Sequence, residues 1–132
     1  MKNQIFINLP VKDLGKSRTF FASLGFNFNP QFSGENSACM VIADGDIQVM
    51  LMPEAFFRSL INKPVVQAKE ANEVIVCLSC DSPEELDGLI ARAIAAGARS
   101  PHPAEDHGFM YTQGFEDLDG HLWNLVWMAP KA

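Results

Sequence analysis

The chain has 132 residues and a mass of 14.6 kDa, with 48% hydrophobic and 20% charged residues, a globular balance that excludes an extended disordered chain. Sixteen acidic residues against ten basic ones give a formal net charge of -6, which argues against nucleic acid or an anionic membrane as a partner. No apolar run approaches the roughly 20 residues of a membrane span.

The opening stretch MKNQIFINLPVKD soon meets charge and lacks a signal peptide's apolar run, so a cytoplasmic location is expected. Residues 4 to 11, QIFINLPV, read as a strand. Asp13 is placed to cap a helix from Leu14 to Leu24, with Ser17, Phe20, Phe21 and Leu24 on one face. Gly25 stands where a left-handed helix stop belongs. A strand is predicted over Phe26 to Pro30, a polar turn follows through Gly34 and Asn36, and a second strand over residues 37 to 43. Asp44-Gly45-Asp46 is a hairpin signal before a return strand, Ile47 to Met52. Glu54 to Leu60 forms a short helical patch, and Asn62 to Asn72 is a polar linker or edge loop.

The pattern then restarts. Glu73 to Ser79 reads as a strand. Ser82, Pro83 and Glu85 make a well-formed helix start, with Glu85 available to close a capping box. Leu86, Leu89, Ile90, Ala93 and Ile94 form an apolar stripe, and Gly97 stops the helix. Strands are predicted near Arg99 to Ala104, over Phe109 to Phe115, and, after the Asp119-Gly120 turn, over Leu122 to Met128. Asp13 matches Asp81, Gly25 matches Gly97, and Asp44-Gly45 matches Asp119-Gly120, at offsets of 68, 72 and 75 residues. This repeat predicts an α+β fold: two paired βαβββ modules, 1–64 and 72–132, forming a curved, partly closed mixed sheet within one domain, 1–132. The concave interior is where a small-molecule ligand belongs.

Two segments carry a resemblance. They are NLPVKDLGKSRTFFASLGF at residues 8 to 26 and FEDLDGHLWNLVW at residues 115 to 127. With the repeat, the sequence resembles the glyoxalase, bleomycin-resistance and extradiol-dioxygenase superfamily, the vicinal oxygen chelate fold. The superfamily spans isomerases, dioxygenases, thiol transferases and drug-binding proteins, so the fold alone does not name a reaction.

The resemblance implies four ligand positions on the inward strands. Counting from its motifs puts them at Phe6, Met50, Val74 and Asn124, with Gln48 beside the second. Divalent metals in such sites want imidazole nitrogen and carboxylate oxygen. Only Asn124 offers an oxygen, so no metal and no other cofactor is expected. The resemblance therefore implies a homodimeric small-molecule-binding protein without the usual metal. The alternative is a lactoylglutathione lyase-like or other lyase or isomerase, using a non-standard metal or an acid-base centre at His107 and Glu116. The expected pocket is Phe6, Gln48, Met50, Val74, Tyr111 and Asn124.

Other groups admit plainer readings. His102, Glu105, Asp106 and His107 share a rim loop. Glu116, Asp117 and Asp119 suit turn chemistry, their carboxylates taking backbone N–H groups. Trp123 and Trp127 share a parity that puts them opposite Asn124, against the helices or a partner. Cys39, Cys77 and Cys80 read as buried or half-buried free thiols.

Overall fold

The computed structural model describes residues 3–130, and the chain divides into two units, Met1–Val65 and Val66–Ala132. The first unit runs β1 (Ile5–Val11), α1 (Leu14–Ser23), β2 (Asn27–Phe28), β3 (Ala38–Ala43), β4 (Ile47–Pro53) and a short α2 (Glu54–Arg58). The second runs β5 (Ile75–Ser79), α3 (Pro83–Ala95), β6 (Glu105–Asp106), β7 (Met110–Glu116) and β8 (Leu122–Met128). Each unit has one four-stranded mixed sheet, ordered β1-β4-β3-β2 and β5-β8-β7-β6. In each, the first strand pairs parallel with the last, and the remaining pairs are antiparallel. The α+β class and the two tandem βαβββ modules are as the sequence predicts.

Local chemistry starts the two long helices. The Asp13 carboxylate accepts the Lys16 N–H at 3.0 Å, and the Ser82 hydroxyl accepts the Glu85 N–H at 3.0 Å. Such caps are each worth about 1 kcal/mol. Glu85 reaches back to the Asp81 N–H at 3.0 Å, one residue outside the cap, so the capping box closes on the preceding residue. Gly25 and Gly97 adopt φ of 103° and 110°, the left-handed region in which helices end.

Register decides which side chains form each core. In the first unit Val11, Val49, Leu51, Ala38 and Met40 share one face and are buried. α1 packs there, with Ser17, Phe20, Phe21 and Leu24 buried at helical spacing. In the second unit Val76, Trp123, Leu125 and Phe115 form the equivalent face beneath Leu86, Ile90 and Ala93 of α3. The Trp123 and Phe115 rings lie opposite each other, with centroids 6.3 Å apart and nearly parallel planes. The α3 stripe is narrower than predicted, because Ile94 is exposed.

The β7–β8 turn is held by one buried carboxylate. Asp117 accepts the N–H groups of Asp119 and His121 through Oδ1, at 2.9 and 3.0 Å, and the indole N–H of Trp123 through Oδ2 at 3.0 Å. Beside it, a Cβ on Gly120 would lie 2.6 Å from the Lys69 nitrogen, so only glycine admits the preceding loop. The Asn72 amide ties that loop down by donating to the carbonyls of Ala68 and Gly120.

Several predicted elements are corrected. Pro30–Phe32 is a 3-10 turn capped by Asn29, which cuts β2 to two residues. α2 ends at Arg58, short of Leu60. The strand predicted over Arg99 to Ala104 is only a bridge between Arg99 and Glu116, because Pro101 and Pro103 have no N–H to give a ladder. Cys39 and Cys80 are buried free thiols, but Cys77 is exposed, and Cys80 lies just past the end of β5. Burial pushes the Cys80 thiol up to about 11, with the charges of Glu85 and Asp81 adding to it.

Candidate functional site

The site is built on the open face of the second sheet. Alternation puts Ile75 and Cys77 of β5, Leu122, Asn124 and Val126 of β8, and Thr112 and Gly114 of β7 on the side away from α3. Segment 99–106 runs beside β7 and is pinned at both ends. Arg99 and Glu116 exchange backbone bonds at 3.1 and 2.7 Å, and Glu105 pairs with Thr112. Six steps along the segment thus face four along β7. The two surplus residues cannot lie flat in the sheet and arch out, as in an enlarged bulge. The Ser100 hydroxyl anchors the start of this strap by donating to the Gly114 carbonyl at 2.7 Å.

The arch encloses a cavity of about 260 Å³. Its floor is Ile75, Thr112, Gly114, Leu122 and Asn124, and its wall is Pro101, His102, Pro103 and Glu105. Gly114 keeps the floor open. A Cβ there would sit 3.6 Å from Asn124 Oδ1 and 3.1 Å from the Trp123 carbonyl oxygen. The side chains of Asn124 and Thr112 make no hydrogen bond among the described residues, so an amide and a hydroxyl face the cavity with their capacity unused.

Of the residues expected to form a pocket, Asn124 lines this cavity. Phe6, Gln48 and Met50 share the open face of the first sheet: Phe6 pairs with Gln48, and Met50 follows two residues on. Gln48 is buried, and its Oε1 has no partner. Phe6 is 44% exposed, its ring centroid 6.3 Å from that of Phe32.

Two expected pocket residues are corrected. Val74 precedes β5 and does not line the cavity, whereas its neighbour Ile75 does. The helix cap that sets the count is Ser82, so counting back seven, as from Asp13 to Phe6, reaches Ile75. Tyr111 lies on the α3 side of β7 and donates its hydroxyl to Asp87 at 2.6 Å, a bond that raises the phenol's pKa. Its odd position on β7 opposes that of Gly114, the partner of Asn124.

The proposed acid-base pair does not assemble. His107 sits at the β6–β7 hairpin with Nε2 3.5 Å from Glu105, while Glu116 ends β7 beside Arg99, 4.0 Å away. Six strand residues, about 20 Å, separate the two. Asp117, the best-buried carboxylate of its cluster, is committed to the turn. Burial raises its pKa above the ordinary carboxylate range, against the lowering effects of His121 and the donated hydrogen bonds.

The metal positions can be tested by donor chemistry, sheet by sheet. Phe6 and Met50 offer carbon and a thioether, and Ile75 and Asn124 offer carbon and one neutral amide oxygen. None of these is imidazole or carboxylate, so neither sheet fits a divalent ion. Among the described residues no group of three or more His, Cys, Asp or Glu side chains could hold a metal.

The family described as Bleomycin resistance protein-like N-terminal matches residues 4–43. A solved hypothetical protein from S. aureus is 30% identical with a TM-score of 0.81, over 96% of this chain and 95% of that one. The chain belongs to the glyoxalase/bleomycin resistance protein/dioxygenase superfamily. No curated protein matches this superfamily member. Its fold is shared with a glyoxalase-related enzyme from Fulvimarina pelagi, 19% identical over 96% of this chain and 88% of that one, TM-score 0.79. It is also shared with TnmS3, an antibiotic binding protein from Streptomyces sp. CB03234, 17% identical over 98% of both chains, TM-score 0.68. Among the described residues no helix is long and apolar enough to cross a membrane.

Proposed function

We propose that this superfamily member binds a small organic molecule under the strap of its second unit, without a divalent metal or other cofactor. The observation that carries the reading is the cavity of about 260 Å³, whose amide and hydroxyl, on Asn124 and Thr112, are unpaired within an otherwise mainly apolar wall. Such a lining desolvates a hydrocarbon body while a few polar groups fix its orientation. The volume lies just below the roughly 300–1,000 Å³ of drug-sized sites, so the occupant is fragment-sized or leaves part of itself outside.

The reading treats the two modules as one domain and the protein as a cytoplasmic homodimer. Support for association comes from the outer strand β1, where Ile5 is 53% exposed. Sedimentation equilibrium checks the dimer, and cell fractionation checks the location.

The binding reading is tested by an amide-resolved NMR titration of the full chain with a neutral fragment library. Hits are expected to shift Thr112, Gly114 and Asn124 together, and Asn124→Leu with Thr112→Val is expected to weaken them about tenfold, two hydrogen bonds' worth. Elemental analysis of protein purified without chelator is expected to find no stoichiometric divalent ion. One equivalent of such an ion, released with loss of a catalysed reaction, overturns the reading in favour of a lyase or isomerase.

A further inference from the structure

Resting on the binding reading above, we infer that the cavity under the strap selects cationic amphiphiles: a compact apolar body carrying a protonated amine. The charge of the chain is unevenly placed. Val66–Ala132 holds eleven Asp and Glu against four Lys and Arg, while Met1–Val65 holds five against six. The net negative charge therefore belongs to the unit that contains the cavity. A field of that sign raises the local concentration of cations and depletes anions, and low-dielectric walls focus it.

The lining agrees with the field. Glu105 is its one carboxylate, and no Lys or Arg is among the lining residues. The nearest strap cation, Arg99, points outward, with its side chain 80% exposed and its guanidinium 4.0 Å from Glu116. An anionic ligand would thus meet no Lys or Arg, only the His102 imidazole and neutral donors. An ammonium has three donors and no acceptor. Glu105, Asn124 Oδ1 and the Thr112 hydroxyl together offer the acceptors it needs. Ile75, Leu122, Pro101 and Pro103 supply the apolar walls for the body. Because Glu105 is largely exposed, with its side chain at 68%, the selection depends on ionic strength.

Three probes of matched shape separate these contributions: 2-phenylethylamine, 2-phenylethanol and phenylacetate, each titrated into the full chain near neutral pH with the cavity amides as readout. At about 20 mM salt the amine is expected to bind about tenfold tighter than the alcohol, and phenylacetate weakest. Raising the salt to about 300 mM is expected to compress that order. Glu105→Gln is expected to reduce the amine's advantage several-fold, while Asp44→Asn, the same loss of charge on an exposed turn of the other unit, leaves it in place. Equal affinities, or phenylacetate binding tightest, overturn the inference. If the alcohol shifts Gly114 and Asn124 while the amine gains nothing, the charge selection fails and the binding reading stands. If none of the three shifts those amides, the binding reading fails with it.

Discussion

The two units share one plan and differ in what their open faces carry. Pairing makes Phe6 equivalent to Ile75, Met50 to Asn124, and Val49 to Trp123. On the helix side the central pair, Val49 and Trp123, is apolar and buried in both units. On the open side the chemistry diverges. In the first sheet Cys39, Gln48 and Met52 are buried, while in the second an amide and a hydroxyl stand beneath an arched strap. The helix-facing side specifies the fold and is filled mainly with apolar volume, with Tyr111 and Gln113 of β7 bringing polar groups to it. The other side is free to differ in polarity, charge and enclosure.

Three substitutions test that comparison. Trp123→Ala removes the largest fully buried side chain and is expected to cost about 3–5 kcal/mol in urea unfolding. Its counterpart Val49→Ala should cost about 2 kcal/mol, from its smaller buried volume. Equal losses would mean that the two helix-facing layers are not equivalent positions filled to different sizes. Asp117→Ala removes an acceptor of the Trp123 indole and of two turn amides, for an expected loss of about 2–3 kcal/mol.

The same carboxylate has a pH signature. Its folded pKa is raised above 3.8 by burial, so the native state keeps this proton longer than the unfolded chain. The contribution is therefore full below the ordinary carboxylate range and is lost as pH rises from about 3.8 through the higher folded value. Urea midpoints measured across that window should lose this downward component in Asp117→Asn. The smallest effect is a symmetry. Asp13→Ala and Ser82→Ala should each lower stability by about 1 kcal/mol, and a large inequality would show that the two helix starts are not equivalent.

What could be read from the sequence follows the range of the physics. The caps at Asp13 and Ser82, the stops at Gly25 and Gly97 and the Asp-Gly turns depend on one to four neighbouring residues, so they were legible. The superfamily resemblance rests on the segments 8–26 and 115–127, which hold several of them. The cavity was only partly legible. A count from Asp81 reaches Val74, whereas the capping oxygen belongs to Ser82, whose count reaches Ile75, a lining residue with Asn124. Tyr111 was misplaced because parity on β7 is fixed by its pairing with β8, which the residues around it do not state. Residues 99–104 make only one bridge, because Pro101 and Pro103 lack the N–H groups that a ladder needs.

Those prolines and the two-residue excess have a further consequence. Headroom over Asn124 is governed by the length of one segment fastened at Arg99, Ser100 and Glu105, none of which belongs to the packed layer around Trp123. Deleting or adding a residue between the fastenings would resize the chamber while the β7–β8 ladder stayed in register. The size of the cavity is thereby adjustable by chain length alone, independently of the forces that keep the scaffold folded.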